Sequence, residues 1–327
     1  MSQVRRRQLL IAAGAFAFPP LVRAQAGKIY RVCSAHTAAS VATKPYEESF
    51  LDALRELGFA RGRNLEYAVR NADGDPARVP VVVDEVLALK PDLLFGIETT
   101  ARVMRSKTTT VPIVLTFSND PVSAGLAKSL ARPGGNVTGM VALTEVLAAK
   151  CVEILAEILP KMKTLAVLLD PGVPSAGNIE RHVQDAARTK GVRTITYWAR
   201  DRATLEQALL AMERDRPDAL LNASGSGILF GERRLTSEST LRLRLPYAGT
   251  GSTAVEFGGL LGYGASLHGM HRQAASHAAR ILNGANPAEL PIEQPTRFEL
   301  VLNLKTAKAI GIKFPQSMLL RADRVIE

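Results

Sequence analysis

The sequence predicts an α/β protein built as two similar Rossmann-like lobes, each a parallel sheet flanked by helices, joined by a three-segment hinge. Three observations carry this. Short β-rich runs alternate with helical patterns. The scheme of the first half recurs in the second. The chain's 327 residues exceed what one hydrophobic core usually serves. Gly and Pro together number 43 against a hydrophobic share of 46%, which excludes disordered and collagen-like chains. Two cysteines cannot form a disulfide scaffold or a four-cysteine zinc site. Cys33 and Cys151 are read as small buried hydrophobes.

Residues 1–26 come first and read as an export signal. Arg5, Arg6 and Arg7 precede the apolar run Leu9–Phe18, and Val22-Arg23-Ala24 or Ala24-Gln25-Ala26 supplies small residues for cleavage. Arg6-Arg7-Gln8-Leu9-Leu10 also fits a twin-arginine signal, so the general and twin-arginine routes both stay open. This leader holds four arginines and no acid, so its removal takes the formal charge from +10 to +6. The basic balance is therefore no nucleic-acid signature. No later stretch is apolar enough to span a bilayer, and a soluble, periplasmic mature chain is expected.

The first lobe opens with the β-rich run Lys28–Cys33 and the polar loop Ser34–Thr37. Phe50, Leu51, Leu54 and Leu57 then recur at helical spacing from Tyr46, and Gly58 is a natural stop. Asn64–Arg70 reads as a strand. Asp75 caps and Pro76 opens a helix reaching Leu89. Strand Asp92–Ile97, a helix from about Thr99 and strand Val111–Phe117 follow. Pro121 is read as the start of another helix that ends before Pro133. In the second lobe the strands are Thr164–Leu169, Arg193–Ala199 and Asp218–Asn222, with helices Ser175–Lys190 and Leu205–Asp215 between them.

The halves echo each other. Lys90-Pro91-Asp92 and Arg216-Pro217-Asp218 both feed an apolar strand, with Pro217 standing 126 residues after Pro91. Val111-Pro112 and Leu245-Pro246 then open a second strand in each half. Gly134–Met140 is expected to carry the chain between lobes and the glycine-rich run Gly258–Gly264 to carry it back. The helical run Gly269–Leu282 then returns to the first lobe, and strand Arg297–Asn303 crosses again. The lobes are accordingly 27–138 with 265–295, and 139–264 with 296–327. Ligands of parallel sheets bind beyond the carboxyl ends of strands, here between the lobes.

Several chemistries lack their motifs. There is no Gly-x-Ser-x-Gly, no phosphate-binding Gly-x4-Gly-Lys-Ser/Thr and no His-Glu-x-x-His. Gly249-Thr-Gly251-Ser-Thr-Ala254 loosely fits a dinucleotide turn, but after Glu256 no acid follows until Glu289 to hold a ribose. It reads as a tight turn. His268 and His271 share a helical face with no acid or cysteine to complete a metal site, so they read as a solvated face. Arg233, Arg234, Arg242 and Arg244 read as the surface of an amphipathic helix. No enzyme and no cofactor are expected.

Asp120-Pro-Val-Ser-Ala-Gly125-Leu-Ala-Lys-Ser-Leu-Ala-Arg-Pro133-Gly-Gly-Asn-Val-Thr-Gly139 is a long, specific string. With Leu290-Pro-Ile-Glu-Gln-Pro-Thr-Arg-Phe-Glu-Leu-Val-Leu-Asn-Leu-Lys-Thr-Ala-Lys-Ala-Ile-Gly311 and the ending Leu319–Glu327, it resembles one family of ABC-transporter substrate-binding proteins, relatives of tryptophan-type binders. The likeness runs over nearly the whole mature chain. It implies the type I periplasmic-binding fold and a monomeric receptor. Such a receptor holds a small solute, an amino acid or small organic acid, and delivers it to an ABC permease and ATPase. The alternatives are a ligand sensor of the same fold for a signalling partner and, behind it, a secreted enzyme.

Strand ends nominate the site. Asp120 and Pro121 are expected to begin a helix whose Val122 and Ser123 amides face the cleft as a carboxylate site. On the first lobe the other candidates are Ser34, His36, Thr37, Glu98, Thr99, Thr100, Ser118 and Asn119. On the second they are Asp170, Ser175, Asn222, Ser224, Thr250 and Ser252. Asp120, Glu98 and Asp170 are candidates for receiving an ammonium group. Phe117 and Tyr247 either face the solute or belong to the core.

Overall fold

The computed structural model describes residues 28–327, so the expected export signal lies outside the described residues. Strands β1 (Tyr30–His36), β2 (Leu65–Asn71), β3 (Leu93–Ile97), β4 (Ile113–Phe117) and β5 (Val137–Gly139) form a parallel sheet in the order β2-β1-β3-β4-β5. Helices α1 (Ser40–Glu56), α2 (Val79–Ala88) and α3 (Glu98–Lys107) are its crossovers. Asp75 accepts from the Ala77 amide at 2.9 Å, and the Pro76–Arg78 turn it caps is a tight 3-10 turn that runs into α2.

The second half follows with α4 (Thr144–Ile158), β6 (Thr164–Leu169), α5 (Ala176–Thr189), β7 (Arg193–Trp198), α6 (Arg202–Asp215) and β8 (Ala219–Asn222). Then come α7 (Gly227–Gly231), α8 (Arg233–Arg242), β9 (Tyr247–Gly249), α9 (Thr253–Glu256) and β10 (Leu261–Gly264). Its strands lie in the order β7-β6-β8-β9-β10, the same winding as the first sheet. The chain continues through α10 (Leu267–Leu282), β11 (Glu299–Asn303), α11 (Leu304–Ile310), α12 (Gln316–Arg321) and β12 (Arg324–Ile326). β11 joins the second sheet antiparallel to β10, and β12 closes its edge.

The sequence echoes fall on equivalent places. Asp92 enters β3 and its carboxylate accepts from the Arg31 amide at 2.8 Å. Asp218 enters β8 and its carboxylate accepts from the Lys163 and Thr164 amides at 2.8 and 2.9 Å. In each lobe, then, the acid after proline ties the start of the third strand to the start of the first. Both sheets are covered on two faces, which is why β3 and β8 read as unbroken apolar runs rather than alternating ones. Phe50, Leu54 and Phe95 are fully buried on one face of the first sheet with Met270, Ala274 and Ala278 of α10. The second lobe's main core sets Leu155, Ile179 and Leu221 against Leu302 and Met318.

Three expectations are corrected. The segment after Pro121 is a run of turns, not a helix. The Asp120 carboxylate caps Val122 and Ser123, both at 3.0 Å, and Gly125 then takes a left-handed φ of 70°, which ends any helix after one turn. A single capped turn and a helix start share one sequence signature. Second, the expected link Gly134–Met140 contains β5. Gly139 has φ 128° and its missing Cβ leaves room for the Leu115 backbone of β4, so this glycine serves close strand approach. The chain leaves the first sheet only after it, and α4 begins at Thr144. Third, the glycine-rich return Gly258–Gly264 supplies β10, and a Cβ on Gly262 would strike the Gly251 backbone.

Cys33 and Cys151 are both free and buried, in different lobes' cores. Among the described residues no helix is long and apolar enough to cross a membrane.

Candidate functional site

The carboxyl ends of β1, β3 and β4 face those of β8 and β9 across a partly open cavity of about 110 Å³. A water needs on the order of 10–15 Å³, so the space suits a molecule of roughly ten heavy atoms. The first lobe contributes His36 and Thr37 after β1, Thr43 and Tyr46 of α1, Ile97, Phe117, and Leu267 and His271 of α10. The second contributes Asn222, the turn Gly225-Ser226-Gly227, Leu229, Phe230, Arg233, Tyr247, Thr250 and Thr253.

The lobes touch around this space. Tyr46 meets Phe230 edge to face at 5.6 Å between centroids. Asn119 Nδ2 donates to the Ser224 carbonyl at 3.4 Å. Gly225 and Gly227 let the second lobe's loop approach Phe117, Asn119, Thr37 and Ile97; a Cβ on Gly225 would lie 2.9 Å from the Phe117 ring and nearer still to Asn119. The cleft is closed.

Charge is distributed unevenly over the two walls. In the first lobe the buried Glu47 carboxylate accepts from Thr43 at 2.5 Å and Tyr67 at 2.7 Å, with His36 Nε2 at 3.2 Å. Burial alone would raise its pKa, yet the bonds from His36, Thr43 and Tyr67 hold it at about 2. Ser34 Oγ sits 2.7 Å from His36 Nε2 and donates to the Phe95 carbonyl, which fixes the ring. His271 Nδ1 donates to the Leu267 carbonyl at 2.8 Å, and burial pulls its pKa to about 4. It is therefore neutral, and its other nitrogen is an acceptor. Burial pushes the Tyr46 and Tyr247 hydroxyls up to about 12, so both stay protonated.

Arg233 is the exception. It is the first residue of α8 and is buried. Its guanidinium lies 4.2 Å over the Phe230 ring and 4.3 Å over Phe257, and Nη1 donates to the Phe230 carbonyl at 2.7 Å. Among the described residues it has no acid within ion-pair distance, and Nε has no partner. Burial lowers its pKa, and the more distant Glu256 carboxylate only partly opposes this.

Of the candidates named from strand ends, His36, Thr37, Asn222 and Thr250 line the cavity, as do Phe117 and Tyr247. The others stand elsewhere. Glu98 Oε2 accepts from Ser118 Oγ at 2.5 Å and from the Asn119 and Asp120 amides at 2.9 and 3.0 Å, so it pins the loop after β4. Burial raises its pKa despite those bonds. Thr100 Oγ1 donates to the Ile97 carbonyl, and Ser224 Oγ accepts from the Asp170 amide. Asp170 accepts from Ser226 Oγ and from the Gly172 amide. Asp170 and Thr99 border a separate open groove beyond the Thr37–Gly227 contact. Ser175 is buried before α5. Ser252 bonds Glu256. The expected carboxylate site at Val122 and Ser123 is occupied by the Asp120 carboxylate itself.

Tyr46, Phe230, Arg233 and His271 were not among the candidates. His271 shares a helix face read as solvated, but α10 packs that face on α1, with His268 Nδ1 2.7 Å from Ser49. Arg233, expected on a helix surface, is instead buried against Phe230 and Phe257 of its own lobe at the cavity wall. The one local signal was Ser224-Gly225-Ser226-Gly227, a glycine-rich turn directly after a strand. Among the described residues no group of three metal-ligating side chains occurs.

Comparison with known proteins agrees with this architecture. The chain is 23% identical over 268 residues to a tyrosine-binding protein of Clostridioides difficile (strain R20291), covering 82% of this chain and 76% of that one. A conserved domain protein of Vibrio cholerae is 28% identical, with a TM-score of 0.83 over 91% of this chain and all of that one. An ABC domain of Streptococcus pneumoniae in complex with L-Trp gives the same TM-score and coverage at 23% identity. The fold is that of type I periplasmic binding proteins. A sequence model described as "ABC transporter substrate binding protein" matches residues 40–326, and the chain belongs to that family.

Proposed function

We propose that this protein captures a small carboxylate-bearing solute with an apolar or aromatic body between its lobes and presents the closed form to an ABC permease and ATPase. The observation that carries this is Arg233, a buried cation with no acid within ion-pair distance among the described residues, at a cavity walled by Tyr46, Phe117, Phe230 and Tyr247. A buried unpaired charge is costly, and a ligand carboxylate in bidentate contact would balance it. The relatives named for tyrosine and bound to L-Trp support an aromatic acid of this size. His36, Thr37, Asn222 and Thr250 supply polar contacts to the same solute. Segments near residues 140–143, 264–266 and 294–298 join the two sheets and serve as hinges. The solute stabilises the closed state because it touches both walls only there. The leader directs export to the periplasm, where this capture takes place.

The test is a thermal-shift screen of the purified protein against carboxylic acids, amino acids and sugars, with calorimetry on each hit. A solute at 100 times its Kd adds about 2.7 kcal/mol, a shift of several degrees. The reading fails if carboxylates give no shift and mass spectrometry of the natively purified protein finds no bound small molecule.

A further inference from the structure

Resting on that receptor reading, we infer that the solute is a carboxylic acid without an ammonium group, an aromatic or branched monoanion rather than a zwitterionic amino acid. Among the described residues the cavity wall carries one guanidinium or ammonium group, that of Arg233, and no Asp or Glu lines it. Each acid in the neighbourhood is already engaged. Glu256, whose charge reaches Arg233, pairs with Arg324 at 3.3 Å, accepts from Ser252 and does not line the cavity. Glu47 lies behind His36 and takes Thr43, Tyr67 and His36 on its two oxygens. Asp170 takes Ser226 and the Gly172 amide and faces the separate groove. Glu98 has one buried oxygen without a partner, but neither oxygen borders the cavity, and its other oxygen holds the loop after β4.

A monocarboxylate beside Arg233 brings the closed cavity to neutrality. A zwitterion beside Arg233 leaves a net positive charge there, with the ammonium facing hydroxyls, the Asn222 amide, imidazoles and rings but no carboxylate among the described residues. Burying an ion without a charged partner costs several kcal/mol, so the closed state discriminates against the amine.

The test is calorimetry on matched pairs: L-phenylalanine against 3-phenylpropionate, and L-tyrosine against 3-(4-hydroxyphenyl)propionate. The desamino acid of at least one pair should bind at least tenfold more tightly than its amino acid. Arg233→Gln should weaken it at least thirtyfold while changing the binding of 3-phenylpropionamide less than threefold. If Arg233→Gln does not fold, Arg233→Lys keeps the charge and should keep the preference at reduced affinity. An amino acid binding as well as or better than its desamino partner overturns the inference and leaves the receptor reading standing. If neither pair binds, the solute carried through native purification decides: an acid without an amine supports the inference, an amine overturns it. No solute in either assay defeats the receptor reading itself.

Discussion

The two walls of the cavity bury opposite charges and treat them differently. In the first lobe Glu47 is surrounded by Thr43, Tyr67 and His36, and its charge is satisfied before any ligand arrives. In the second, Arg233 has aromatic rings and one carbonyl but, among the described residues, no acid within ion-pair distance. A charge satisfied inside its own lobe stabilises that lobe. A charge left unpaired at the facing surface stabilises only the complex. On the proposed reading, Glu47 is the structural ion and Arg233 the one that recognises the solute.

Removing each charge should therefore move stability in opposite directions. Glu47→Ala strands the Tyr67 hydroxyl and the His36 ring, and is expected to cost about 3–5 kcal/mol of stability in the absence of solute. Denaturant titration checks this; a loss under 1 kcal/mol would erase the distinction between the walls. Arg233→Leu should do the reverse, raising unliganded stability by about 1–3 kcal/mol. It should also weaken carboxylate binding at least a hundredfold. A lower melting temperature without solute would show that Arg233 is structural after all.

Closure offers a sharper comparison, because it alone brings the walls together. Gly225→Ala puts a methyl group against Phe117 and Asn119 of the opposite lobe, at a residue with φ 56°. Roughly tenfold weaker solute binding is expected, with secondary structure unchanged by circular dichroism. Unaltered affinity would mean that solute is held with the lobes apart.

The smallest effect at neutral pH is titration. His271 has a folded pKa of about 4 against 6.5 when free, so the unfolded chain binds the proton first as pH falls. Its contribution is complete above pH 6.5 and fades toward pH 4; His271→Gln should flatten that slope. Glu47 acts lower, losing its contribution as pH falls from about 4.5 toward 2. Melting curves from pH 2 to 8 on the wild type and both variants, Glu47→Gln being the second, separate the two windows. A wild-type curve flat between pH 4 and 6.5 would show that His271 is not neutral in the folded state.

Much of the scaffold was legible because its signals are local. Apolar runs closed by Pro-Asp mark β3 and β8, and Gly58 and the spacing from Tyr46 mark α1. The turn at 121–125 was misread because a carboxylate that caps one turn and one that caps a helix produce the same residues. Within the site, loops at strand ends were legible from topology alone, which is how His36, Thr37, Asn222 and Thr250 came forward.

By itself, then, the sequence determined two equivalent α/β windings, their echo at Pro91 and Pro217, and a cavity between strand ends. These follow from hydrophobic period and turn chemistry, which act over a few residues. Only the tertiary structure decided that Arg233, Tyr46, Phe230 and His271 face that space and that Asp120, Glu98 and Asp170 do not. The reason is physical: a polar or aromatic residue on a helix carries no mark of whether water or another lobe covers it. That depends on contacts between segments nearly two hundred residues apart, as between Tyr46 and Phe230.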